Sequence, residues 1–241
     1  MKLKKHKKHI LIVFIILGFL SNIVNSQNVK SPNTPKYDKK PYHFGFMLGI
    51  NQMDFMLKTI PSYKPFDSLM VLQSIPQKGF DIGIVSNLRI ADNIDLRFIP
   101  ALSFGERVLE YTIKEKDTNI VIYNKKIEST FIDLPLTIKY KSNRINNFRV
   151  YVVGGMKYSF DLASQFKKKA DTEEYIVKLK KSDYQYLAGV GFDYYLPLFK
   201  FSMEYKIAFG ISDLLKRENS IFTDPITRLN SKISLVSITF E

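Results

Sequence analysis

From Pro41 to the end of the chain, apolar and polar side chains alternate with a period of two, and the polar positions repeatedly carry full charges. Successive side chains on a strand point to opposite faces, so this period specifies strands and excludes long helices. The segment 79–90 reads GFDIGIVSNLRI: Phe80, Ile82, Ile84 and Leu88 share one face, Asp81, Gly83, Asn87 and Arg89 the other. The pattern starts in 43–55 and recurs in 93–105, within 123–140, and in 148–163, 183–195, 199–210 and 232–241. That makes about eight strands, an even number, as single-chain bacterial barrels have.

Connection lengths alternate. The links 90–93, 141–147 and 196–199 are short; those near 57–78, 106–122, 164–182 and 211–231 are long. This predicts an all-β, eight-stranded antiparallel up-and-down transmembrane β-barrel with short periplasmic turns and long extracellular loops, both termini periplasmic. A soluble sandwich also alternates. Lipid is favoured by the Phe and Tyr content of the apolar face, with Tyr140, Phe148, Phe160, Tyr184, Tyr194, Phe199, Phe209 and Phe240 near strand ends, as in interfacial girdles. The partners expected first are therefore outer-membrane lipids.

The opposite face then points inward. It carries Asp81, Arg89, Asp95, Arg97, Asp133, Lys139, Arg149, Lys157, Asp161, Asp193, Glu204 and Lys206. An eight-stranded barrel is just wide enough to be filled by side chains. Charges inside it need partners, because an isolated buried ion costs several kcal/mol. The expectation is an interior charge network, Asp133 pairing with Lys139 or Arg149. A proton or ion path is the alternative use of the same residues.

The N-terminus reads as an export signal over 1–26. A basic stretch, Met1–His9, precedes an apolar run, Ile10–Leu20, that is short for a spanning helix, and Val24 and Ser26 suit a cleavage site before Gln27. An uncleaved anchor helix is the alternative. Residues 27–42, with prolines at 32, 35 and 41, read as a polar linker, and 43–241 as the barrel.

The formal charge is +13, which raises nucleic acid as a partner. The excess is concentrated: five lysines in the first eight residues, then Lys30, Lys36, Lys39 and Lys40, then Lys167, Lys168, Lys169, Lys178, Lys180 and Lys181. Basic ends and loops on a membrane protein account for it, and no nucleic-acid partner is expected. The chain has no cysteine, so disulfides, thiolate metal sites and thiol nucleophiles are excluded. Histidine occurs at 6, 9 and 43 only, which leaves His43 alone for any Ser–His chemistry; before the first strand it reads as an interfacial residue. No glycine-rich phosphate loop or spaced carboxylate set is present, so no cofactor, metal, small-molecule substrate or catalysis is expected.

Residues 131–164 read FIDLPLTIKYKSNRINNFRVYVVGGMKYSFDLAS. An acidic-Leu-Pro-Leu strand (Asp133–Leu136) and a Lys-Tyr-Lys-Ser end (Lys139–Ser142) lead into the turn Arg144, Ile145, Asn146, Asn147 and a Gly-containing strand closing on Tyr158–Ala163. This stretch resembles the PorT (SprT) family of Bacteroidota, outer-membrane barrels associated with type IX secretion and, in gliding species, motility. The resemblance implies a non-enzymatic secretion component with other type IX components as partners; the 144–147 turn, periplasmic by the strand topology read above, is the expected place for them to reach it. The same turn also has a purely structural reading, as an Asn-rich reversal. A small passive pore is the alternative function.

Overall fold

The computed structural model describes residues 33–60, 69–114, 120–163, 177–217 and 222–241; the expected signal segment 1–26 and Lys167–Lys169 lie outside them. Ten strands follow one another: β1 (Tyr42–Thr59), β2 (Leu69–Ile75), β3 (Gln77–Ala91), β4 (Ile94–Phe98), β5 (Ala101–Lys114), β6 (Ile120–Lys141), β7 (Phe148–Asp161), β8 (Ser182–Tyr195), β9 (Lys200–Gly210) and β10 (Ile226–Phe240). Every pairing is antiparallel, and β1 pairs with both β3 and β10, so the hydrogen-bonded sheet closes on itself.

The ten strands form eight staves, because two staves are each interrupted at a proline. Pro76 separates β2 from β3, and Pro100 follows Ile99 between β4 and β5. Proline has no N–H for the ladder, so pairing lapses there. Across the second break the register against β6 is undisturbed: Phe98 faces Leu136 and Ala101 faces Asp133. At Pro76 the stave slips by one residue against β5, from Ile75↔Val108 to Phe80↔Phe104.

Toward the short-turn end, the outer wall is apolar and the inner wall polar. On β1, Tyr42, Phe44, Phe46, Leu48 and Ile50 are exposed outward. On β6, Leu134, Leu136, Ile138 and Tyr140 face out, while Asp133, Thr137, Lys139 and Lys141 are buried within. Farther along the same strands the pattern inverts. Asn124, Lys126 and Glu128 of β6 are exposed outward. Inside, Phe55, Leu109, Tyr111, Ile113, Phe222, Ile226 and Leu229 form an apolar core with Val177, Leu179, Leu214 and Leu215.

This inversion corrects the expected loops. Much of 57–78 and 106–122 is strand, with β5 running to Lys114 and β6 starting at Ile120, and β10 takes in the end of 211–231 from Ile226. There the apolar core positions fall on the inner face, out of phase with the outward belt, while Met70, Val71, Ile120 and Ile122 stay exposed. The combined pattern along one strand therefore reads as irregular.

Candidate functional site

The lumen is layered. Nearest the short turns lies an ion-pair network drawn from β4, β6, β8, β9 and the C-terminal residue. Arg97 reaches Glu204 at 2.9 Å and Glu241 at 3.3 Å; Lys200 holds the other oxygen of Glu241 at 2.9 Å; Lys206 holds Glu204 at 2.6 Å. Lys139 pairs with Asp193 at 2.8 Å and sits over the Tyr151 ring at 3.6 Å. Lys141 pairs with Asp95 at 2.6 Å. Each buried charge here has an opposite partner, which is the condition for burying charge at tolerable cost.

The middle layer contains Asp133 with Lys157 at 2.8 Å and Asp81 held by Ser103 and Asn51. A cavity of about 40 Å³ lies between Met47, Asp81, Thr137, Lys157, Leu187 and Lys206. That volume admits water molecules only. Above it, Arg107 is stacked between Phe55 and Phe131, with centroid distances of 4.4 and 5.1 Å, and donates to Ser129 and Ser231. Asp161 and Asp183 are buried at the same level. The apolar core then closes the far end.

The short-turn mouth is closed by residues 33–40, which hold a 3-10 turn at Tyr37–Lys39. Tyr37 stacks on His43 at 3.9 Å and donates its hydroxyl to Glu241. His43 is therefore buried on the lumen face, not interfacial as the sequence suggested. The Asp38 carboxylate accepts from Arg149 at 3.1 Å, Arg144 at 3.3 Å and the Tyr195 hydroxyl at 3.1 Å. Burial alone would raise this carboxyl; Arg149, the Tyr195 hydroxyl and Arg144 outweigh it and hold it below its ordinary value. Arg89 donates to the Asp38 carbonyl. Asn33 bonds Asn147 at 2.8 Å and the Tyr195 carbonyl at 3.0 Å.

The residues singled out from sequence thus fall in different places. Asp95, Arg97, Lys139, Asp193, Glu204 and Lys206 meet in the lower lumen, Asp81, Asp133 and Lys157 in the middle, Asp161 higher. Arg89 and Arg149 stand at the mouth with Asp38. Asp133 pairs with Lys157, its diagonal neighbour across the β6–β7 ladder, where Lys157 faces Pro135; Lys139 and Arg149 lie farther along those strands and turn to Asp193 and Asp38. In the 144–147 turn, Arg144 folds back onto the Tyr195 ring at 3.7 Å and its side chain is 9% exposed, whereas Ile145 is 60% exposed. Asn146 adopts φ 52°, a left-handed conformation that asparagine tolerates. Asp38, Tyr37, Arg107, Lys141, Tyr195 and Glu241 escaped sequence reasoning. Lys141, Tyr195 and Glu241 carried a signal: each follows an outward aromatic, Tyr140, Tyr194 and Phe240, so alternation turns it inward.

The family model described as outer membrane protein beta-barrel domain matches residues 25–216. No curated protein matches the chain. Among solved structures, the chain is similar to Neisserial surface protein A, at 11% identity and a TM-score of 0.41, covering 83% of this chain and 98% of that one. OprG from Pseudomonas aeruginosa gives 13% identity and a TM-score of 0.41, covering 82% and 91%. Ail, the attachment invasion locus protein of Yersinia pestis, gives 12% and 0.38, covering 82% and 96%.

Proposed function

This chain belongs to the outer membrane protein beta-barrel domain family, and we propose that it crosses the outer membrane as an eight-stave barrel with a closed lumen and acts as a non-enzymatic component of type IX protein secretion. The apolar stretch of β1, Tyr42–Ile50, has the length of a tilted membrane-crossing strand, about 9–11 residues. The short turns then face the periplasm, and the polar outer wall of β5 and β6 stands beyond the lipid.

The observation that carries the reading is the filled lumen. Ion pairs, a water-sized cavity, a sandwiched arginine and an apolar core follow one another from mouth to far end. A solute path through such a column requires breaking buried ion pairs, which supports a closed barrel over a passive pore. Among the described residues no group of three or more His, Asp and Glu side chains is placed to hold a metal, and His43 is engaged with the Tyr37 carbonyl. The secretion role itself rests on the resemblance of Phe131–Ser164 to the PorT (SprT) family. Its partners are outer-membrane lipid and other secretion components.

The test is a deletion strain. Loss of the protein abolishes export of cargo bearing type IX sorting domains and leaves small-solute uptake unchanged. Normal export with slowed uptake overturns the proposal in favour of a pore.

A further inference from the structure

We propose that residues 33–40 occupy a docking site for an acidic peptide, with Asp38 standing in for a carboxylate of a periplasmic partner protein that displaces this strap. The inference rests on the reading above that the short turns face the periplasm.

The strap is a poor electrostatic match for what it covers. It carries Lys36, Lys39 and Lys40, all exposed, against the single acid Asp38. It is laid on a mouth that presents Arg89, Arg144 and Arg149. Two guanidinium groups and the Tyr195 hydroxyl converge on one carboxylate, and Arg89 takes only a backbone carbonyl and Asp92. An acidic segment without the lysines gains the same clamp and loses the repulsion.

The strap is also imperfectly seated. Thr34, a β-branched residue, has φ 46°, a conformation such residues rarely hold. Its hydroxyl, the Arg149 Nε and the His43 Nδ1 are buried without hydrogen-bond partners. Arg149 is 7% exposed, so its Nε is a buried donor still lacking an acceptor beside the clamp. A replacement occupant with a further acceptor satisfies it.

Orientation selects a peptide over a lipid headgroup. Tyr195 and Arg149 belong to the inner wall, while their strand neighbours Tyr194 and Phe148 face outward and are exposed. The clamp therefore opens along the barrel axis, away from the lipid face. Ile145 and Leu198, 60% and 90% exposed, flank it on the neighbouring β6–β7 and β8–β9 turns, which are joined by the Tyr195 N–H to the Asn147 carbonyl. The fitting partner segment is an acidic residue bordered by apolar ones.

The chain lacks cysteine, so Lys36→Cys gives the full-length protein a single site for an environment-sensitive dye. Hexa-aspartate is titrated against purified protein in detergent, with hexa-asparagine at matched ionic strength as control. Saturable binding is expected, about tenfold tighter for Asp38→Asn and about tenfold weaker for Arg144→Gln/Arg149→Gln. Equal affinity in all three, or no binding to Asp38→Asn, overturns the proposal. So does a response to phosphatidylglycerol nanodiscs without one to hexa-aspartate, which assigns the clamp to lipid. If the double arginine variant fails to fold, the Asp38→Asn comparison still decides. Labelling of Lys36→Cys by an impermeant maleimide in intact cells refutes the periplasmic orientation and leaves the peptide result untouched.

Discussion

At the scale of single residues, neighbours on one strand meet different solvents. Leu136 is exposed on the outer wall and Thr137 is buried on the inner wall beside the Arg97 carbonyl. Leu136→Arg is expected to destabilise the barrel by about 2–4 kcal/mol at mid-bilayer, measured by urea unfolding in lipid vesicles. Thr137→Arg instead overfills the lumen, where the cavity beside Thr137 is water-sized, so the two variants unfold differently. Arg97→Met removes the cation shared by Glu204 and Glu241 and is expected to cost about 3–5 kcal/mol, because buried carboxylates lose their partner. Asp38 supplies a pH dependence. Its folded value lies below its unfolded value, so its contribution is fully present above about pH 4 and is lost as pH falls through the lower folded value. A dye at position 36 reports strap release on acidification, and Asp38→Asn abolishes that transition.

At the scale of the strand, close approach of backbones sets what each stave tolerates. Gly154 and Gly155 are adjacent on β7 and have opposite constraints. A Cβ at Gly155 would lie 2.2 Å from the Leu136 carbonyl oxygen, whereas at Gly154 the nearest atom is 3.9 Å away. Gly155→Ala is therefore expected to cost about 1–3 kcal/mol through forced separation of β6 and β7, and Gly154→Ala less than about 0.5 kcal/mol. Heat-resistant migration in gels at graded urea separates the two. β1, β5 and β6 each also pass from a lipid-type pattern to a soluble-type pattern along their length. Period-two reading finds the first and loses the second, because hydrophobic positions change face where the surrounding solvent changes.

For the molecule as a whole, closure of the ring and filling of the lumen are separate facts with separate tests. Planar-bilayer recordings of the intact protein should show no large steady conductance. Deleting residues 33–40 removes the mouth contacts but leaves the Arg97–Glu204–Glu241 network and the far apolar core in place. Conductance should stay small after that deletion. A wide pore on strap removal would show that the strap, not the ion-pair column, closes the lumen.

The sequence by itself determined the all-β class, the alternation of faces in Gly79–Ile90 and Phe131–Tyr140, the short reversals, and which charges turn inward. All of these depend on residues near one another in the chain, where the strand period acts directly. The tertiary structure decided the rest. Lys139 found Asp193 and Arg97 found Glu204 and Glu241 because ring closure brings distant staves within side-chain reach. Residues 33–40, which carry no apolar period, were fixed by Asp38 meeting Arg144, Arg149 and Tyr195 across the mouth. Sequence spacing cannot encode such a meeting, because those partners lie more than a hundred residues away from Asp38 and converge only when the last strand pairs with the first.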